Sequence, residues 1–215
     1  WAKLEFSKTE HLTSEGYFTY LKEFKGGHSL NAVAGYSYFE KNGENFNAEN
    51  YDFGVEGLKY WDLGAGSYLT DGKAAMGSGK NITERLFALY ARANYSYNDK
   101  YMVSATIRHE GSSKFAAENR WGNFWALSGG WRVSAEEFMK EFDWVSDLKV
   151  RFGYGVTGNN DFDASYMANT LSRDQYWMLP SGSWAYVYGP SSNVNPYLGW
   201  EEKKEWNIGV DYSFF

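Results

Sequence analysis

From Phe87 onward the chain alternates with a period of two. Phe87, Leu89, Ala91, Ala93, Tyr95 and Tyr97 share one parity, while Tyr90, Arg92, Asn94 and Ser96 share the other. Side chains along a strand point alternately to its two faces, so this pattern predicts a strand with one apolar and one polar side. The short Asn98-Asp99-Lys100 segment predicts a tight reversal. In the strand after it, Tyr101, Val103, Ala105 and Ile107 oppose Met102, Ser104, Thr106 and Arg108. Upstream, the Gly26-Gly27 turn signal separates "YFTYLKEF" from Leu30, Ala32, Ala34, Tyr36 and Tyr38, which alternate with Asn31, Val33, Gly35, Ser37 and Phe39. That arrangement predicts a hairpin. Downstream, three further strands carry the apolar parity: Trp125 to Val133, Leu148 to Val156, and Trp206 to Phe214.

Between these segments, "SAEEFMKEF" sets Ser134 three residues before Glu137, the spacing of a capping box, and predicts one short helix from about Ala135 to Phe142. A loop is expected from about Glu110 to Arg120. A longer one is expected from Asn159 to Trp200, rich in Gly, Ser, Asn, Tyr and Trp, and loops of that length are usually functional or disordered.

The strands reach about ten residues, the span of a tilted transmembrane strand rather than the usual globular five or six. Short turns alternate with long loops, and the non-apolar face carries Arg, Lys, Asn and Ser. A barrel with lipid outside and water inside satisfies both features. Periodicity alone leaves a soluble β-sandwich or propeller open as well.

Composition tilts the choice. Within 215 residues there are 18 Tyr, 15 Phe and 10 Trp, and no apolar run is long enough for a transmembrane helix. Tyr and Trp favour places where one end is dry and the other wet, as at a membrane interface. Tyr95, Tyr97 and Tyr101 flank the predicted turn where an interfacial girdle would sit. Net charge is −6, with acidic and basic residues mixed along the chain, so no basic stripe points to nucleic acid. The absence of Cys excludes disulfides and thiolate metal sites within the chain. The chain begins at Trp1 without a leader-like stretch, and is expected to be a fragment.

Candidate chemistry is sparse. "GYGVTG" (153–158) has the glycine spacing of a dinucleotide site, but polar "NNDFDAS" follows where a helix N-terminus is needed. "MGSGKN" (76–81) lacks the first glycine and the final Ser/Thr of a phosphate loop and reads as a flexible loop. His11, His28 and His109 are isolated, so no metal is expected. Asp161 and Asp163 read as solvated loop carboxylates. No catalytic residue and no cofactor are expected. Arg92, Arg108, Arg132 and Arg151 fall on the polar parity, where they would face the lumen and pair with Glu or Asp in preference to binding an anionic substrate. Tyr176, Trp177, Trp184, Tyr186 and Tyr188 of the long loop are the candidates for ligand contact, against the alternative that they pack the loop on itself.

The stretch "YARANYSYNDKYMVSATIRHEGSSKFAAENRWGNFWALSGGWRVSAEEFMKEFDWVSDLKVRFGYGVTGNN" resembles the SusC/RagA family of TonB-dependent outer-membrane transporters of Bacteroidetes. Shared words include "NYSY", a "DKY" turn, "GSSxF", "NRWG", "GWR(I/V)S", "EFM" and "YGxTGN", and "NPYLGWE" near Asn195 matches a later one. His109-Glu110 stands where the family has Arg-Asp, and Trp125 where it has Pro; the first eighty residues agree only in general character.

The resemblance implies an all-β fold, a segment of a large antiparallel transmembrane β-barrel of about 22 strands with long extracellular loops and the one short helix on the periplasmic side. About eight to ten strands are readable here, so residues 1–215 are expected to form part of the barrel, without plug domain or TonB box. It also implies uptake of oligosaccharides or oligopeptides across the Gram-negative outer membrane, with a SusD-like lipoprotein lid and the TonB-ExbB-ExbD complex as partners. Lid or substrate contact is expected in the loops 111–120 and 159–200. The alternatives are a structural or adhesive outer-membrane barrel and a soluble carbohydrate-binding β-domain.

Overall fold

The computed structural model describes residues 1–163, 171–191 and 193–214. Ten strands account for most of them: β1 Ala2–Phe24, β2 His28–Asn50, β3 Ala75–Lys80, β4 Glu84–Tyr97, β5 Tyr101–Ser112, β6 Trp121–Arg132, β7 Val145–Asn159, β8 Leu171–Met178, β9 Trp184–Pro190 and β10 Glu201–Phe214. The main sheet runs β1-β2-β4-β5-β6-β7-β10, with β3 also paired to β2, and β8 and β9 form a separate two-stranded sheet. The pairs β2–β3, β4–β5, β5–β6, β6–β7, β7–β10 and β8–β9 are antiparallel.

Two compact units divide the chain. The first comprises residues 1–12 and 40–84. Here β3 pairs with the end of β2, Glu44 opposite Lys80 through Glu49 opposite Ala75. The "MGSGKN" segment, expected to be a flexible loop, is therefore mostly strand; Asn45 and Asn47 of β2 lie against Gly79 and Gly77. A buried Asn50 organises the turns that precede β3, its amide donating to the carbonyls of Leu63 and Gly66.

The second unit comprises residues 13–39 and 85–215. Its registers show how the period-two pattern becomes a surface. Ala93 faces Ala105, which faces Leu127, which faces Tyr154, which faces Trp206. Because paired residues point to the same side, the apolar parity of each strand merges into one face and the polar parity into the other. Val103, Ile107, Trp125, Leu127, Phe152 and Ile208 on the apolar face are between 46% and 62% exposed, and no second layer covers them among the described residues. A β-sandwich would bury that face against another sheet.

The tight turns behave as their residues dictate. Gly26 and Gly27 both have positive φ, 86° and 80°, between β1 and β2. Asn98 (φ 49°) and Asp99 (φ 53°) take the left-handed conformation in the three-residue turn between β4 and β5, which the Lys100 amide closes by donating to the Tyr97 carbonyl (3.0 Å). The helix expected over 135–142 is absent. Two 3₁₀ turns stand there instead, Val133–Ala135 and Glu137–Met139. Ser134 Oγ donates to Asp147 Oδ1 (2.8 Å) rather than capping toward Glu137, and Glu136 between the turns is extended, so the helix cannot propagate.

Between β1 and β2, a Cβ on Gly35 would stand 2.4 Å from the Gly16 carbonyl oxygen and 2.7 Å from Tyr17 Cβ. Neither neighbour is a flexible chain end. Gly35→Ala should cost about 1–3 kcal/mol in the full-length protein. Gly129→Ala, whose nearest neighbour would be 3.9 Å away, should leave the unfolding midpoint unchanged; equal midpoints for the two variants would contradict the packing.

Candidate functional site

At the short-turn end of β4, β5 and β6 the rings form one cluster on the apolar face. Tyr97 and Tyr101 are register partners and stack at 6.4 Å, and Trp131 is the next partner of Tyr101. His28 lies 4.6 Å from the Tyr97 ring, and its Nδ1 shares a 2.6 Å hydrogen bond with Tyr95 Oη. Glu136 gathers the polar tips. Its Oε1 accepts from Tyr101 Oη (2.6 Å) and Trp131 Nε1 (3.1 Å), and its Oε2 from Lys100 Nζ (3.4 Å). The Tyr101 hydrogen bond first, then those from Trp131 and Lys100, holds the carboxyl below the usual glutamate range. A second run of edge-to-face rings joins Phe142, Trp144, Tyr212 and Phe214.

Ten residues along β5, Gly111 pairs with Phe87 and Trp121, whose rings meet edge to face at 6.4 Å, while His109 stacks on Trp121 at 4.7 Å. Ten residues span about 33 Å of strand. At the usual barrel tilt that is about 25 Å of height, the height of an outer-membrane apolar band. Sequence reasoning found the first set of rings but not the second. The signal was available, since Phe87 and Trp121 carry the apolar parity to the far strand ends.

At this far end Phe115 of "GSSxF" and Trp200 of "NPYLGWE" meet Phe124 and Phe162 in one clasp. Phe115, 2% exposed, packs between Phe162 (5.0 Å) and Trp200 (5.1 Å), and Phe124 meets Trp200 from the other side. Gly158 is needed there, because a Cβ would fall 2.0 Å from the Phe124 ring. Buried Ser112 accepts from Asn160 Nδ2 (3.2 Å), Lys114 Nζ donates to the Phe162 carbonyl (2.9 Å), and Trp200 Nε1 donates to the Arg120 carbonyl (3.0 Å). The loop expected at 110–120 is thus shorter than its sequence suggested, and its most buried residues hold neighbouring segments together.

The long segment 159–200 contains a hairpin where a loop was expected. β8 and β9 pair Tyr176 with Tyr186 and Met178 with Trp184, turning through Gly182 (φ 81°). Alternation puts Tyr176, Trp184, Tyr186 and Tyr188 on one face and Trp177, paired with Ala185, on the other. All five rings are more than half exposed. Tyr176 Oη donates to Tyr186 Oη (2.6 Å), and the Arg173 guanidinium lies 4.7 Å from the Tyr186 ring centre. The Tyr176 and Tyr186 rings are tilted 40° to one another, so the four rings form an exposed, uneven aromatic surface carrying tyrosine hydroxyls.

The four arginines occupy the polar face. Arg92 Nε donates to Thr106 Oγ1 (3.2 Å), Arg108 makes a two-pronged pair with Glu110 (2.7 and 2.9 Å), Arg132 Nε stands 3.5 Å from Asp147 Oδ1, and Arg151 Nη2 donates to Asp211 Oδ1 (2.8 Å). Three of the four meet carboxylates on their own face. "GYGVTG" lies wholly inside β7, where 153–155 pair with both β6 and β10 and 156–158 with β10 alone, so Gly153 and Gly155 serve the sheet and Gly158 makes room for the Phe124 ring. Asp161 donates its amide to Asn159 Oδ1 in a local turn. Among the described residues no group of three or more His, Asp or Glu side chains is placed to hold a metal.

Comparison with known proteins gives a concordant result. The family model "TonB dependent receptor-like, beta-barrel" matches residues 4–215. TonB-dependent receptor P39 of Formosa agariphila is 34% identical over 212 residues, covering 94% of this chain and 18% of the relative. TonB-dependent receptor SusC of Bacteroides thetaiotaomicron is 36% identical over 131 residues, covering 60% of this chain and 13% of the relative. The RagAB peptide transporter structure superposes with a TM-score of 0.81 at 21% identity, covering 99% of this chain and 22% of that one. This chain spans less than a quarter of the length of each of these proteins.

Two expectations follow from the geometry. Glu136 has a lowered folded-state pKa, so its contribution to stability is present above the unfolded value and is lost as pH falls through the folded one. Glu136→Gln should therefore unfold earlier than wild type at pH 7, and the gap should close at pH well below the ordinary glutamate range; a gap independent of pH would refute the role of the charge. Phe115→Ala should cost about 3–5 kcal/mol by emptying the clasp, seen as a lower unfolding midpoint.

Proposed function

The chain belongs to the TonB-dependent receptor-like β-barrel family, and from that premise we propose that residues 1–215 form part of the wall and extracellular loops of a SusC-like outer-membrane importer. The observation that carries this reading is the two-faced sheet. Its apolar face is exposed, with no cover among the described residues, and ends in aromatic rings at both margins, while its reverse is polar and ion-paired. Lipid on one side and an aqueous lumen on the other suit that division, because a paired ladder leaves few backbone groups for lipid to satisfy.

In this reading the short turns lie on the periplasmic side and the clasp and hairpin on the extracellular side. The substrate is an oligosaccharide or oligopeptide. A SusD-like lipoprotein closes the extracellular mouth, and the TonB-ExbB-ExbD complex supplies energy through parts of the polypeptide outside this chain. RagAB is a peptide transporter, which supports the peptide branch by analogy of fold. No covalent chemistry is involved. The arginines of the polar face line the lumen and keep the wall hydrated.

The β8–β9 platform is the contact for ligand or lid. Replacing both Trp184 and Tyr186 with Ala in the full-length protein should weaken binding of the oligomer or the lipoprotein at least about tenfold, since central aromatic anchors commonly contribute one to several kcal/mol. The barrel should remain folded and detergent-extractable. Unchanged affinity for both partners would remove the hairpin from the binding account, and recovery of the protein in the soluble fraction would remove the membrane wall itself.

A further inference from the structure

We propose that the polar face carries a carboxylate-binding depression centred on Lys149. It rests on the wall reading, in which this face meets the lumen. The depression has a volume of about 390 Å³ and extends across β2, β4, β5, β6, β7 and β10. Its floor is low because Ser104, Ser128, Gly130 and Gly153 are small, and among the described residues no carboxylate lines it. Around the floor stand hydrogen-bond donors: serine hydroxyls, the amides of Asn31 and Asn207, and the cations Lys149 and Arg151.

The charge balance makes Lys149 the centre. Its β10 register partner is Asp211, and Asp147 lies two residues before it on the same face of β7. Both acids are engaged elsewhere. Asp211 accepts from Arg151 Nη2 at 2.8 Å, while Asp147 accepts from Ser134 Oγ at 2.8 Å and stands 3.5 Å from Arg132 Nε. Lys149 is half-buried and makes no ion pair or hydrogen bond with another described residue. An ammonium in a walled depression without a counter-charge attracts an anion.

One uncompensated cation among neutral donors balances one negative charge. Arg151 is already held by Asp211, so the set suits a carboxylate better than a doubly charged phosphate, which calls for more than one free cation. The carboxylate could be an Asp or Glu side chain from another segment of the same polypeptide, or an acidic group on a solute crossing the lumen. The chemistry of recognition is the same.

The full-length protein in detergent, treated with a water-soluble carbodiimide and mapped by peptide mass spectrometry, separates these sources. An amide bond between Lys149 Nζ and an Asp or Glu outside residues 1–215 establishes an internal carboxylate. If that link is absent but tri-glutamate couples to Lys149 and slows its acetylation by N-acetoxysuccinimide at least about fivefold, the carboxylate comes from solution. Lys149→Gln, checked for unaltered heat-dependent gel migration, should abolish either cross-link. Acetylation of Lys149 at the rate of exposed Lys140, with no cross-link and no effect of tri-glutamate, would overturn the proposal.

Discussion

Register governs this structure. A strand shifted by one residue would send its whole apolar set to the opposite face, so one misaligned pair would place Ile107 and Phe152 among the arginines. The ladder from β4 to β10 keeps every partner on the same side, and the tight Asn98-Asp99 turn fixes the first step. From that alignment follow the uncovered apolar face, the rings at its margins and the ion pairs on its reverse. Backbone pairing supplies the continuity, and in lipid it must, because hydrocarbon offers unpaired amides no alternative partner.

The margins use the remaining aromatic residues in two different ways. Near the short turns the rings keep their polar tips in play, with Tyr101 and Trp131 both donating to Glu136 and His28 bonded to Tyr95. Near the loops, Phe115, Phe124, Phe162 and Trp200 make a small dry core that fastens segments distant in sequence. The contrast fits the local solvent: an interfacial ring benefits from a wet end, whereas a loop clasp gains from excluding water. The β8–β9 hairpin differs from both, because its rings are neither at the sheet margin nor packed in the clasp.

Much of this was legible in the sequence. Alternation located β4 through β7 and β10 and assigned each face, since period two needs no tertiary information once one side is apolar. Strand ends were less legible: β2 runs to Asn50 and β5 to Ser112 because cross-strand pairing continues past the last clear alternation. The capping-box spacing at Ser134 misled, for Asp147 competes for that hydroxyl and the segment is too short to nucleate a helix alone. Glycines hid β3, and the turn-rich composition around Gly182 hid β8 and β9, although Trp184, Tyr186 and Tyr188 already alternated. The clasp was beyond periodicity because it joins residues more than forty positions apart, although the resemblance had marked the words that carry Phe115, Arg120 and Trp200.

The central claim is that the two parities of one sheet face lipid and water respectively. Residues 1–215 contain no native Cys, so nitroxide labels can be placed singly from position 101 to 110 of the full-length protein in bilayers. Accessibility to oxygen, which partitions into lipid, should then alternate with accessibility to a water-soluble nickel chelate. Oxygen should be favoured at 103, 105 and 107, and nickel at 104, 106 and 108. Equal nickel access on both parities would contradict the account and return the sheet to an aqueous setting.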